Sequence, residues 1–152
     1  MATLKELRDE RLRKLTELKQ LGINPFPAKA ERSHILSSIH DSFAELEGSD
    51  VSVVGRIMNI RKFGKIAFVV IRDQSSEMQL FLSADKVSEL NPSDGQIGFA
   101  QLPLLDVGDF VQAKGRVIKT QTGEVSVEVT QLRLLTKSLR PMPTKQDGFS
   151  NK

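Results

Sequence analysis

The 152-residue chain contains no cysteine. Disulfides, Cys-ligated zinc and thiol catalysis are excluded with it, and such usage fits a reducing compartment, with the cytoplasm as the default. Long apolar runs are missing too: none approaches the ~20 residues that a bilayer-spanning helix needs, so no membrane association is expected. The leading stretch "MATLKELRDERLRKL" holds Glu6, Asp9 and Glu10 where a mitochondrial presequence would be poor in acids, and no targeting signal is read there. Nor is charge of one sign in large excess. Twenty-two Lys and Arg against 19 Asp and Glu leave a net charge of +3. That is too little for a bulk polyanion binder, so any nucleic-acid role must rest on where the charge sits. Catalytic signatures are absent as well: there is no phosphate loop, nucleophile elbow or carboxylate cluster, and no catalytic residue is expected. His34 and His40 have no cysteine partners and do not lie one helical turn apart, so they read as capping or surface residues and no metal site is expected.

What is present divides the chain by period. Over residues 1–22, Leu4, Leu7, Leu12, Leu15, Leu18 and Leu21 share one face of a helix, with Gly22 as its C-terminal cap. Pro25 and Pro27 in "INPFPAK" stop that helix. Residues 23–50 read as a connector with a second, shorter helix around Ser37 to Leu46, closed before Gly48. From Val51 to Thr136 the period becomes that of strands: "VSVVGRIMNIR", "KIAFVVIRD", "MQLFL", "FVQAKGRVIKT" and "EVSVEVTQLRLL". The last two flank a tight hairpin at Gln121 to Gly123. The connection from Ser83 to Gly108 is rich in turn formers, with a short helical turn expected at Gly98 to Leu104 and mobility near Asn91 to Gly98. Residues 137–152, basic and Pro-interrupted, read as a linker. Five short strands with one long connection point to a mainly β fold, a small closed antiparallel barrel of the OB type, preceded by an amphipathic helix.

In "GRIMNIRKFGKIAFVVIRD", Gly55 to Asp73, five basic residues precede the first acid. In an OB barrel the outer face of the second and third strands, with the loop between the fourth and fifth, is the usual oligonucleotide platform. If Met78, Leu80 and Leu82 face the core, Gln79 and Phe81 face out; Glu124 faces out at the last hairpin by the same parity. Phe68 shares a parity with Arg72 and could offer a base a stacking surface. Ile66 and Val70 share its face, however, and by pattern alone that favours a core position over the platform. Gln79 and Glu124 can be ordinary solvent-facing residues, and the charges of the first strand can merely solvate an edge.

The ordered series "LKQLGINPFP", "LEGSDVSVVGRIMNIRKFGKIAFVVIRD", "MQLFL" and "DVGDFVQAKGRVIKTQTGEVSVEVTQLRLLTKSLRPMP" resembles the N-terminal anticodon-binding domain of class II lysyl-tRNA synthetases, from about Leu4 to Pro143. Related aspartyl and asparaginyl enzymes share the barrel, but "GRIMNIRKFGK", "TGEVSV" and "LLTKSLRPMP" look like the lysyl version. The resemblance implies a partner, tRNA with a uridine-rich lysine anticodon, and a nucleic-acid-binding set of Arg61, Phe68, Gln79 and Glu124. Phe68 would stack the central anticodon base, Gln79 would hydrogen-bond it, Glu124 would contact a base from the last hairpin, and Arg61 would supply a cationic contact. It also implies a homodimeric parent enzyme that attaches lysine to tRNA with ATP and magnesium. This chain shows none of the class II catalytic motifs, so it is expected to hold no cofactor, to be inactive alone and to be monomeric. Two rival readings are a stand-alone single-strand-binding OB protein and a protein-interaction module whose Leu-rich helix docks a partner.

Overall fold

The computed structural model describes residues 3–22, 32–91 and 96–138. Helix α1 (Leu4–Gln20) opens on a capping box that the leucine pattern did not reveal. The Thr3 hydroxyl accepts from the Glu6 N–H at 3.1 Å, and the Glu6 carboxylate accepts from the Thr3 N–H at 2.7 Å. Gly22, at φ 89°, lies just past the helix's end. Only Leu15 and Leu18 of the predicted stripe are buried, whereas Leu4 and Leu7 stay 59% and 40% exposed. The helix therefore packs by its C-terminal half. Pro25 and Pro27 lie outside the described residues.

The second predicted helix is two short ones, α2 (Leu36–Asp41) and α3 (Phe43–Leu46), broken at Ser42. Leu36 and Ile39 enter the main apolar cluster. Ile35, at the N-cap position of α2, cannot cap it by side chain, so Asp73 does so across space. Its carboxylate accepts from the Leu36 N–H at 2.9 Å and from the backbone of Ser75 and Ser76. Burial pushes the Asp73 carboxyl up, but the Ser75 hydroxyl and these backbone N–H groups outweigh it and hold the group below the usual carboxylate range.

Among the described residues six strands follow: β1 (Asp50–Phe63), β2 (Ile66–Arg72), β3 (Glu77–Ser83), β4 (Gln96–Ile97), β5 (Phe110–Lys119) and β6 (Val125–Thr136). The order β3-β2-β1-β5-β6, closed by β3 on β6, makes a five-stranded barrel with β4 added on β6. Four seams are antiparallel as expected; the closing one, with Leu80 opposite Val127, is parallel. Alternation fills the interior with Val51, Val53 and Ile57, Ala67, Val69 and Ile71, Met78, Leu80 and Leu82, Val111, Ala113 and Val117, and Val127 and Val129, all buried. A bulge between Ile57 and Asn59 shifts the parity of β1, and others interrupt the β5–β6 ladder. At one of these, Gly115 passes so close to β6 that a Cβ would stand 2.0 Å from the Glu128 carbonyl oxygen.

The connection from β3 to β5 carries β4 and a 3-10 segment, Phe99–Leu104, where a helical turn was expected. Residues 92–95, within the stretch expected to be mobile, lie outside the described residues. α1 rests against the 3-10 segment. Beside it Asp106 accepts from Lys14 and Lys137, at 2.7 and 2.8 Å, with Arg11 at 4.0 Å. Lys137 also meets the buried Asp109 at 2.8 Å, and the Ser138 N–H donates to the same carboxylate. Burial raises the Asp109 carboxyl above its ordinary value despite Lys137. At Asp106 burial also pushes upward, but Lys137 and Lys14 prevail and the group sits low. A linker was expected from residue 137, yet Lys137 is buried and Ser138 is bonded to the barrel. Residues 139–152 lie outside the described residues. Among the described residues, no helix is long and apolar enough to cross a membrane.

Candidate nucleic-acid interface

Strand register assembles the site. On the outward face of the barrel Arg61 pairs with Phe68, and Phe68 with Phe81, so one row carries a guanidinium and two rings. The neighbouring row sets Val70 beside Gln79, and Gln79 beside Ser126 of β6. Phe68 thus faces outward on β2, half-buried, while Ala67, Val69 and Ile71 take the core side. The two readings its pattern allowed are separated by the closed barrel, whose interior takes Ala67, Val69 and Ile71 and leaves Ile66, Phe68 and Val70 on the outer sheet face.

These side chains line a groove of about 580 Å³. Arg61, Phe68, Gln79 and Phe81 form one side, and Ile118, Lys119, Thr120, Gln121 and Thr122 of the β5–β6 hairpin form the other. The Phe68 and Phe81 rings lie 5.4 Å apart at 42°, a continuous tilted aromatic floor. The Arg61 guanidinium carbon stands 5.8 Å from the Phe68 ring centre, within cation–π range. Gln79 donates through Nε2 to the Ser126 hydroxyl at 3.1 Å, which fixes the amide in the groove.

The hairpin wall is held by its own bonds. The Gly123 N–H donates to the Thr120 carbonyl and the Thr120 N–H to the Glu124 carbonyl, both at 2.9 Å. The Thr120 and Thr122 hydroxyls are 3.0 Å apart. The Lys119 ammonium rests 4.8 Å from the Phe43 ring centre, so α3 helps to place it.

Three of the four residues singled out by sequence, Arg61, Phe68 and Gln79, therefore meet in one groove. Glu124 is not among its lining residues; it is exposed one position past the turn, where its backbone closes the hairpin. Phe81 was assigned outward by parity but not singled out. The hairpin between the fourth and fifth predicted strands was expected to join the platform, but Lys119, Thr120 and Thr122 were not singled out within it; the topology brings them opposite β2 and β3. The lining combines two rings, a fixed amide, hydroxyls and two cations, with no carboxylate. Such a groove can stack a planar base, hydrogen-bond its edge and meet an anionic backbone.

Residues 51–135 match the tRNA anticodon family, described as an OB-fold nucleic acid binding domain. Over a longer span the chain is similar to lysine–tRNA ligases. It is 38% identical to that of Syntrophomonas wolfei over 148 residues, 97% of this chain and 29% of that protein. It is 41% identical to that of Clostridium perfringens over 142 residues, and 37% to that of Trichormus variabilis over 152, each covering 27% of the relative. The chain thus spans less than a third of the length of these curated relatives.

Proposed function

The chain belongs to the tRNA anticodon-binding OB-fold family, and we propose that within it the chain reads the lysine anticodon through the groove between β2–β3 and the β5–β6 hairpin. The observation that carries this reading is the outward Phe68 ring, continued by Phe81, capped by Arg61 and flanked by the fixed amide of Gln79. Similarity to lysine–tRNA ligases over 93–97% of the chain supplies the choice of amino acid.

The central base of the anticodon stacks on Phe68. Uracil presents an N3–H donor between two carbonyl acceptors, and a carboxamide can accept from the first while donating to one of the others. Cytosine carries an acceptor at N3, which would leave polar groups unpaired in a partly buried site, a loss of about 1–3 kcal/mol. Arg61 and Lys119 meet phosphates or carbonyl oxygens, and Glu124 accepts from a base that reaches past the hairpin. Phosphate contacts set the register of the loop, and the groove specifies.

Within a whole lysine–tRNA ligase this domain adds binding energy for the cognate tRNA and helps to set the acceptor end in a distant active site. Attachment of lysine, with ATP and magnesium, belongs to other parts of such a protein, and the work is that of cytoplasmic translation. Titration of a lysine anticodon stem-loop into the chain and into Phe68→Ala tests the reading. The variant is expected to lose about 1–3 kcal/mol of binding with its fold intact by circular dichroism. Equal affinity of the two chains would overturn the proposal.

A further inference from the structure

The aromatic row does not end at the groove. Phe63, the last residue of β1, shares the outward parity of Arg61 and pairs with Ile66 across a two-residue turn. That turn begins with Gly64 at φ 60°, so no side chain at position 64 shields the ring. Phe63 is 56% exposed; the other exposed large hydrophobics among the described residues are leucines of α1 and its end. Its ring centre lies 6.3 Å from that of Phe68 at an interplanar angle of 67°, an edge-to-face contact in which Phe68 covers at most one of its faces. Arg61, Lys62 and Lys65 flank it in sequence on the hairpin, and residues 61–65 include no carboxylate. Lys62 leans away, 5.4 Å from the Phe99 ring centre, while Arg61 and Lys65 are exposed and make no ion pair among those described. An isolated exposed ring is ordinary; an exposed ring flanked in sequence by cations that make no ion pair among those described, in edge contact with a stacking floor, has the composition of a single-strand binding surface.

We propose that Phe63 is a second stacking surface, taking the base adjacent to the one held on Phe68, with Arg61 and Lys65 meeting the phosphate that joins the two nucleotides. The inference rests on the anticodon reading above. Because the two rings are steeply inclined, the two bases are splayed apart and not stacked on one another, the form in which proteins read single-stranded loops.

The chain has no tryptophan and no tyrosine, so Phe63→Trp places a single indole at the proposed contact. Its emission is expected to be quenched on saturation with the lysine anticodon stem-loop, with affinity kept at or above that of the unsubstituted chain. Phe63→Ala and Phe63→Leu are each expected to bind about five- to tenfold more weakly. The Phe63→Ala effect should vanish for a loop made abasic at one position beside the central base, while Phe68→Ala still weakens that loop. Unchanged emission, wild-type affinity of Phe63→Ala, or wild-type affinity of Phe63→Leu would each overturn the proposal, the last by assigning Phe63 to packing alone. Loss of binding in Phe68→Ala alongside a silent Phe63→Ala would sink this inference and leave the anticodon reading standing. Silence of both would sink both.

Discussion

At the scale of single residues, Asp73 shows how a side chain outside the groove sustains the barrel's shape. It stands where β2 turns into β3 and caps α2, whose Leu36 and Ile39 join the core. Its folded pKa lies below the ordinary value, so the ionised form is the one the fold prefers. A depressed carboxylate contributes stability that is complete above its unfolded pKa of about 3.9 and is lost as pH falls through the lower folded value. Asp73→Asn is accordingly expected to destabilise the chain by about 1.5–3 kcal/mol at neutral pH. The gap from wild type should narrow below about pH 4, as denaturant titrations from pH 7 to 3 would show; a gap constant across that range would refute the ionised cap. In the groove, residue-level legibility was uneven for physical reasons. Alternation alone fixes which side of a strand Gln79 and Phe81 occupy. Phe68 stayed ambiguous because Ile66 and Val70, on the same outer face, are apolar and half-buried. Glu124 matched by position in its motif, but an exposed residue past a turn is aimed by no packing, and the groove lining excludes it.

At the scale of elements, strands were readable because a closed barrel buries one face of each, which writes a period of two into the sequence. Helices were less so. α1 carries leucines along its length yet buries only its C-terminal half, because the barrel offers a surface no longer than the 3-10 segment and its flank. The clamp on that helix was invisible to local pattern: Lys14 reaches Asp106 across 92 positions and Lys137 across 31. Lys137 is the keystone, its side chain wholly buried against two aspartates. Removing one partner of a buried ion pair leaves an uncompensated charge, so Lys137→Met is expected to cost about 3–5 kcal/mol in chemical denaturation. Adding Asp109→Asn should restore part of that loss, since the stranded charge is then gone. If the double variant were less stable than the single one, the pair would not be the source of the penalty.

At the scale of the molecule, near-balanced charge and local charge serve different ends. Residues 51–136 hold 10 basic and 9 acidic residues, yet residues 51–72 and the groove lining present cations without carboxylates. A surface so divided gains affinity for RNA from phosphates but must take its specificity from the bases. The family and the barrel were legible together, because four motifs in order follow the strands and turns that the fold requires. The parallel closure of β3 on β6 and the strand β4 were not, since neither leaves a periodic trace: one is a meeting of distant edges and the other is two residues long. On the proposed reading, this groove distinguishes uridine from cytidine at the middle of an anticodon. The most direct measurement is the affinity of the chain for a lysine anticodon stem-loop and for its central U-to-C variant at two salt concentrations. Higher salt should weaken both loops in parallel, while the cognate loop keeps an advantage of about tenfold or more. Equal affinities at both salt concentrations would contradict the account, leaving a groove that holds RNA without reading it.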